Sequence, residues 1–126
     1  RQNGMKRRFF FFFLLAGVLL GAAPTLAAEL VMFERAGCVW CERWNAEVGG
    51  AYDKTNEGRR AALRRVDLAK GVPPDLSEVG KVVFTPTFVL VDNGKEIGRI
   101  EGYADEAFFY GYLNGLISKL GATATH

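Results

Sequence analysis

The sequence predicts a small α/β domain in which a mixed central sheet is flanked by helices, in the order β-α-β-α-β-β-α. Short runs rich in β-branched and aromatic residues alternate with segments whose apolar residues recur at helical spacing. This alternation predicts parallel pairing in the first half of the chain, and a tight-turn sequence between the last two runs predicts an antiparallel edge. The chain has 126 residues, 49% hydrophobic and 24% charged. This composition fits one packed domain and excludes wholesale disorder.

Residues 1–28 are predicted to be upstream residues followed by a secretory signal peptide. After a candidate initiator Met5 come three cations, a twelve-residue apolar run over 9–20, and small residues up to Ala28. This order is typical of such a peptide, and a membrane-spanning helix needs about 20 apolar residues. We therefore expect a periplasmic domain over residues 29–126. An uncleaved membrane anchor is the alternative.

The cations of the predicted signal peptide account for the formal net charge of +2. Without residues 1–27 the chain keeps 12 Lys and Arg against 14 Asp and Glu. No basic nucleic-acid surface is expected, so nucleic acid is not a predicted partner. The chain has two cysteines and one histidine, His126. Zinc needs three or four protein ligands, which excludes a structural zinc site built from Cys and His. We expect no metal and no cofactor.

The first strand and the first helix follow each other closely. Residues 30–33 form an apolar run with β-branched and aromatic character, which is typical of a strand buried on both faces. Trp40, Trp44 and Val48 recur at helical spacing and predict a helix from residue 39 to about residue 52. Trp44 is expected to pack in the core.

The middle of the chain is predicted to hold a second strand over residues 63–68. Residues 57–62 either extend the preceding helix or form a further turn. Pro73 and Pro74 then break the chain, because two adjacent prolines fit neither a central strand nor the middle of a helix. Residues 75–79 are expected to form a helical turn.

A hairpin and a long helix are predicted to complete the domain. Residues 88–91 are the third strand, Asn93-Gly94 forms the turn, and residues 95–101 return as the fourth strand. Asp105 is expected to cap the last helix. Its apolar residues fall at steps of three or four and predict one continuous apolar face: Phe109, Tyr112, Leu113, Leu116, Ile117 and Leu120.

The most specific chemistry lies in Cys38-Val39-Trp40-Cys41, where the first strand leads into the first helix. Unpaired backbone N–H groups and the helix dipole favour negative charge there, so the pKa of Cys38 is expected to be lowered. Cys41 lies one turn further, on the same face. Cys38 could therefore attack a substrate disulfide as nucleophile, and Cys41 could resolve the mixed disulfide. Trp40 is expected to shape substrate access.

Three other interpretations of the cysteine pair stay open. A static disulfide is one, although a bridge across two residues constrains little of the unfolded chain. A non-catalytic Cu(I)-binding module is another, since thiolates suit Cu(I), with Met32 as the only methionine nearby. A disulfide oxidase or isomerase is the third, because Val39-Trp40 does not reveal the direction of exchange.

A proline directly before an apolar strand is the second unusual feature, in Thr85-Pro86-Thr87-Phe88. Proline cannot donate to a sheet ladder. A cis Thr85–Pro86 bond would turn the chain and leave the Thr85 backbone free to pair with an extended peptide. An ordinary loop proline is the alternative.

Together these motifs, with the hairpin and the final helix, resemble the thioredoxin superfamily over roughly residues 29–120. The resemblance implies thiol-disulfide oxidoreductase activity, with Cys38 as nucleophile and Cys41 as resolving thiol. It also implies a groove for a bound polypeptide, lined by Thr85, cis-Pro86 and Gly102. The short strand order is more similar to glutaredoxin, so a compact, glutaredoxin-like form of the thioredoxin fold is expected.

Several residues around the cysteine pair depart from the thioredoxin pattern or stay open. Met32 stands where thioredoxins bury an aspartate, so the usual proton acceptor for Cys41 is absent and water or Glu34 is left for that role. Neighbouring charges such as Arg43 are candidates for tuning the thiolate or selecting partners. Tyr103 lies near the predicted groove, whereas Arg65 is expected to be a solvated charge.

The signal peptide, the short chain, Cys-x-Trp-Cys and Thr-Pro-Thr-Phe together resemble the periplasmic thioredoxins (SoxS type) of bacterial sulfur-oxidation systems. That resemblance implies a reductase that keeps the cysteine-bearing sulfur-carrier complex of the pathway active. It also implies electron supply through a membrane thiol transporter. Glutathione is a further candidate partner.

Overall fold

Four strands form one mixed sheet, in the computed structural model of residues 27–124. Their spatial order is β2-β1-β3-β4, with β1 and β2 parallel and the other two pairs antiparallel. The predicted mixed sheet is therefore confirmed, and the parallel pair sits on the side away from the hairpin. The strands are β1 (Glu29–Glu34), β2 (Ala62–Asp67), β3 (Thr87–Asp92) and β4 (Lys95–Glu101).

The crossover between β1 and β2 is broken into several short helical pieces. Helix α1 (Val39–Trp44) continues as a π-helical turn over Asn45–Gly49, a 3₁₀ turn spans Tyr52–Lys54, and α2 covers Asn56–Arg60. The single helix predicted over residues 39–52 was wrong at its C-terminal end. The chain turns there because the Tyr52 side chain is fully buried. Its hydroxyl donates a 2.7 Å hydrogen bond to the carbonyl of Ala61, the residue just before β2.

The hairpin and the final helix form as predicted. Asn93 and Gly94 make the turn with φ values of 53° and 76°, which these two residues adopt readily. Helix α3 spans Glu106–Ala124. The Asp105 carboxylate accepts a hydrogen bond of 2.9 Å from the backbone N–H of Phe108, so the predicted cap is confirmed.

The apolar face of α3 is narrower than predicted. Phe109, Leu113 and Ile117 are buried, and they repeat at four-residue steps. Tyr112 is 62% exposed and stacks on the exposed Phe108, with ring centroids 6.3 Å apart. Leu116 and Leu120 are half-buried and pack against the same core. The predicted apolar face is therefore confirmed at these residues, and the prediction was wrong for Tyr112.

The two faces of the sheet are covered very differently. One face carries α1 and α3 over an aromatic core in which the Trp44 ring lies 5.1 Å from Phe88 and 5.6 Å from Phe109. The other face is covered by the segment between β2 and β3, which has only two 3₁₀ turns, at Leu68–Lys70 and Pro74–Leu76. The helical turn predicted over residues 75–79 is thus this shorter 3₁₀ turn, anchored by the buried Leu76.

The predicted signal peptide lies outside the described residues, apart from its last two positions. Within residues 27–124, no helix combines the length and apolar character that crossing a membrane would require.

Candidate active site

Three chain segments meet at one end of the sheet. β1 and β3 are antiparallel with Phe33 opposite Thr87, and Thr87 is also opposite Glu101 of β4. The residues that follow β1, precede β3 and follow β4 therefore emerge at the same edge. A 2.7 Å hydrogen bond from the Gly102 N–H to the Pro86 carbonyl joins two of these segments directly. The topology thus brings the cysteine motif, Thr85-Pro86 and Gly102 to one end of the molecule.

The two cysteines form a disulfide at the start of α1, with Cα atoms 5.2 Å apart. Cys38 is the N-cap residue, with extended backbone dihedrals, and its sulfur accepts a 3.1 Å hydrogen bond from the Cys41 N–H. Cys38 is half-buried, whereas only 2% of Cys41 is exposed. One sulfur is thus open to a partner and the other is covered. The unpaired N–H groups of a helix start favour a thiolate at the outer position.

The Thr85–Pro86 peptide bond is cis, as the resemblance to the thioredoxin superfamily implies. Pro86 is buried and Thr85 is half-buried. The preceding loop is held by a 2.7 Å hydrogen bond from the Thr87 hydroxyl to the Phe84 carbonyl. Within residues 27–124, neither backbone polar group of Thr85 bonds to another backbone group. An extended chain could pair with these groups, in the manner of strand addition.

Trp40 is 52% exposed and stands between the two cysteines in sequence. The Arg43 guanidinium carbon lies 5.8 Å from the centre of its ring and 5.9 Å from the centre of the Tyr103 ring. Glu47 accepts from Arg43 at 3.1 Å and from the Tyr103 hydroxyl at 2.6 Å. Arg43 and Tyr103, both candidates in the sequence analysis, thus belong to one cluster of contacts. Nothing in the sequence pointed to Glu47.

These contacts shift the titration of two groups. The hydrogen bond from Tyr103, and then that from Arg43, lower the pKa of the Glu47 carboxyl. Burial, followed by the hydrogen bond to Glu47, raises the pKa of Tyr103. Glu47 is therefore ionised and Tyr103 is a neutral donor throughout the neutral range.

An open cavity of about 580 Å³ lies beside the disulfide. Both cysteines line it, together with charged and polar side chains that include Glu34, Glu42, Asn45, Arg65 and Lys70. Glu34, the side chain considered as proton acceptor for Cys41, faces this cavity in an ion pair of 3.0 Å with Arg65. That role stays a prediction.

Arg65 has more partners than a solvated charge would have. Its guanidinium lies 5.7 Å from the centre of the Trp44 ring, donates to Asn45 at 2.8 Å, and contacts the Met32 sulfur at 3.6 Å. The prediction of a solvated charge missed these contacts, which the side chain makes while 43% of it is exposed. The two-residue period of a strand could have indicated them, because it places Arg65 on the same face as Leu63, which packs on the aromatic core.

No group of three or more His, Cys, Asp or Glu side chains in the part of the chain that the structure describes could hold a metal ion. What the site can do chemically is exchange disulfides through a cysteine pair at a helix start. On this fold, such a site defines a thiol-disulfide oxidoreductase.

Comparison with known proteins gives the family. The profile of the thioredoxin-like domain matches residues 26–117. The chain belongs to the thioredoxin-like family. A comparison with curated proteins found no match.

Solved structures agree with this assignment. The periplasmic thioredoxin SoxS from Paracoccus pantotrophus, in its reduced form, is 44% identical with a TM-score of 0.71; the alignment covers 74% of this chain and 98% of that one. A thioredoxin from Thermus thermophilus is 25% identical with a TM-score of 0.59, over 78% of this chain and 79% of that one. The thioredoxin of Fasciola hepatica, 24% identical with a TM-score of 0.55 over 71% and 81%, shares the fold.

Proposed function

We propose that this oxidoreductase works in the periplasm as a disulfide reductase, with Cys38 as nucleophile and Cys41 as resolving thiol. The observation that carries these roles is the unequal exposure of the two cysteines at the start of α1. Cys38 is half-buried and Cys41 is almost wholly covered. A substrate disulfide can reach only the outer sulfur, and the inner sulfur is kept for the second step.

In the proposed cycle, the Cys38 thiolate attacks one sulfur of a substrate disulfide. A bond forms between Cys38 and that sulfur, and the other substrate sulfur leaves with the electron pair as a thiolate. Cys41 then loses its proton and attacks the Cys38 sulfur. The first substrate sulfur leaves as a thiolate, and the Cys38–Cys41 disulfide remains. The substrate gains two electrons, which an external dithiol must return to the enzyme.

The substrate is proposed to be an extended segment of a disulfide-bearing protein, bound across Trp40, Thr85, Pro86 and Gly102. The Thr85 backbone would pair with this segment, the buried Pro86 would form the floor of the groove, and Gly102 is tied to Pro86 by the 2.7 Å hydrogen bond. Backbone pairing accepts many sequences, so specificity is left to the side chains along the groove.

The narrower proposal is a role in bacterial sulfur oxidation. Its support is the 44% identity to a periplasmic thioredoxin SoxS over nearly all of that protein. The signal-peptide pattern of residues 1–28 supports the same compartment. The partner would be the cysteine-bearing sulfur-carrier complex of the pathway, and a membrane thiol transporter would supply the electrons. Glutathione is the alternative small-molecule reductant.

Trapping tests the assigned cysteine roles. Cys41→Ser removes the resolving thiol, so this variant should hold the substrate as a mixed disulfide that intact mass spectrometry identifies and dithiothreitol releases. Cys38→Ser should trap nothing and should abolish turnover of insulin disulfides. Trapping by Cys38→Ser instead would reverse the assigned roles. A captured protein other than a sulfur carrier would argue against the narrower proposal.

The direction of exchange is tested by the reduction potential. A reductase should equilibrate near the thioredoxin value of about −270 mV, whereas a value near −120 mV is characteristic of an oxidase. Stoichiometric Cu(I) retention without any disulfide exchange would instead support a metal-binding module.

A further inference from the structure

Four side chains connect the helix that carries the disulfide to the loop after β4. Trp40, Arg43, Glu47 and Tyr103 are here called the groove bridge. Trp40, Arg43 and Glu47 lie on α1 and its π-helical continuation, and Tyr103 follows Gly102. The bridge therefore joins two of the segments that meet at the active-site end of the sheet.

The inner end of the bridge is held by two hydrogen bonds to the Glu47 carboxylate. Only 7% of Tyr103 is exposed, and its hydroxyl donates to one carboxylate oxygen of Glu47 at 2.6 Å. The second carboxylate oxygen accepts from the Arg43 Nε at 3.1 Å. Both oxygens of Glu47 are thus engaged, each by a different element of the fold. Hydrogen bonds to a charged group are among the stronger ones in proteins.

The outer end of the bridge is an exposed ring. The Arg43 guanidinium lies near both aromatic faces, 5.9 Å from the Tyr103 centroid and 5.8 Å from that of Trp40. Trp40 is 52% exposed and stands between the two cysteines in sequence. A half-exposed ring with no such support would exchange rotamers, and ordering it on binding would cost entropy.

We propose that Glu47 and Tyr103 are positioning residues that act through Arg43 to hold the Trp40 ring as a fixed wall of the groove. This inference rests on the proposed function. The bridge then sets the affinity for an extended polypeptide disulfide. It leaves the exchange step at Cys38 unchanged, because none of its polar atoms bonds to either sulfur among the described residues.

The kinetic test compares two substrates of different size. Insulin fills a polypeptide groove, whereas bis(2-hydroxyethyl) disulfide reaches only the sulfur. Glu47→Gln and Tyr103→Phe should each raise KM for insulin about 3- to 10-fold and leave its kcat within about twofold. Both variants should leave kcat/KM for the small disulfide within about twofold. An equal loss on both substrates, or an unchanged KM for insulin, would overturn the proposal.

A double-mutant cycle tests whether the effect passes through Trp40. In a Trp40→Ala background, adding Glu47→Gln should change KM for insulin no further, because the ring it positions is gone. Additive effects of the two substitutions would mean that Glu47 acts by another route, and would overturn the proposal.

A third measurement needs no substrate. The indole N–H resonance of Trp40, identified by its loss in Trp40→Phe, should shift and broaden in Glu47→Gln and in Tyr103→Phe. Glu96→Gln is the matched control, since Glu96 also pairs with an arginine, at 2.7 Å, but belongs to an ion pair outside the bridge. Glu96→Gln should leave the Trp40 resonance, the KM for insulin and the kcat/KM for the small disulfide unchanged. If the wild type reduced neither disulfide, the proposed function would fail, and an unshifted resonance would still overturn the positioning role.

Discussion

Met32 and Arg65 lie side by side on the face of the sheet that carries the aromatic core. They are register partners on β1 and β2, and Met32 stands where thioredoxins bury an aspartate. The Arg65 guanidinium contacts the Met32 sulfur, the face of the Trp44 ring and the carboxylate of Glu34. The core beneath the disulfide therefore stays apolar, and the charges lie in the open cavity beside it.

Arg65 should therefore contribute to stability through packing as well as charge. Arg65→Met keeps most of the aliphatic stem but loses the contact of the cation with Trp44. We expect the free energy of unfolding to fall by about 1 kcal/mol, and by more in Arg65→Ala, which also loses the stem. Urea denaturation measures both variants.

The control for this prediction is Arg59→Met. The Arg59 side chain is exposed, and within residues 27–124 its guanidinium donates to Asn56 of the same helix. Loss of this side chain should therefore change the free energy of unfolding by no more than about 0.5 kcal/mol. Equal effects at residues 59 and 65 would mean that the Trp44 contact contributes nothing.

Among the helical segments, the short α2 depends on a close backbone approach. Thr55 caps it by accepting a 2.9 Å hydrogen bond from the Gly58 N–H. A Cβ atom on Gly58 would fall on the carbonyl group of Tyr52, which is main chain and cannot move aside like a flexible side chain. Glycine is needed here for lack of space, and the turn that buries Tyr52 depends on it.

Gly58→Ala should therefore be destabilising, although alanine is the better helix former. We expect a loss of about 2 kcal/mol or more from the overpacking, against about 1 kcal/mol of gained helix propensity. Gly115→Ala on α3 is the control, because a Cβ there meets nothing within 4 Å. It should stabilise the protein by about 0.5–1 kcal/mol. Urea denaturation measures the free energy of unfolding of both variants. A stabilising effect of Gly58→Ala would contradict the packing argument.

The molecule as a whole uses ion pairs to hold loops against its sheet. Arg99 on β4 binds Glu96 at 2.7 Å and also donates to the carbonyls of Gly80 and Lys81. Arg64 on β2 pairs with Asp75 at 2.6 Å. These contacts anchor the segment between β2 and β3, which covers one face of the sheet with only two 3₁₀ turns.

Acid should weaken this arrangement. The hydrogen bond from Arg99 lowers the pKa of Glu96, and that from Arg64 lowers the pKa of Asp75. A lowered folded-state pKa gives stability that is present above the unfolded-state value, about 4, and lost as the pH falls through the folded-state value. Urea unfolding should therefore show the free energy declining below about pH 4.

Glu96→Gln isolates one contribution to this decline. The variant should be less stable than the wild type at pH 7, and the difference should shrink as the pH is lowered toward 3. Glu78→Gln, at an exposed position, is the control and should follow the wild-type curve. A constant difference between Glu96→Gln and wild type at all pH values would show that the ionised carboxylate has no role.

Much of the site could be predicted because its signals are local. The strand-to-helix position of Cys38 and the residue pair Asn93-Gly94 depend on dihedral preferences and hydrogen bonds within a few residues. The Asp105 cap likewise depends on a hydrogen bond within three residues. A cis bond at Thr85–Pro86 is conceivable from the sequence because such bonds occur almost only before proline. The thioredoxin-like fold followed from the order of such signals along the chain.

Other features depend on residues that are distant in sequence. The hydrogen bond between Glu47 and Tyr103 joins residues 56 positions apart. The exposure of Tyr112 depends on which face of α3 packs against the sheet. The break after α1 depends on a buried tyrosine finding its partner before β2. Spacing within one segment cannot reveal these contacts, because they are chosen by close packing between elements and by the need to satisfy buried polar groups.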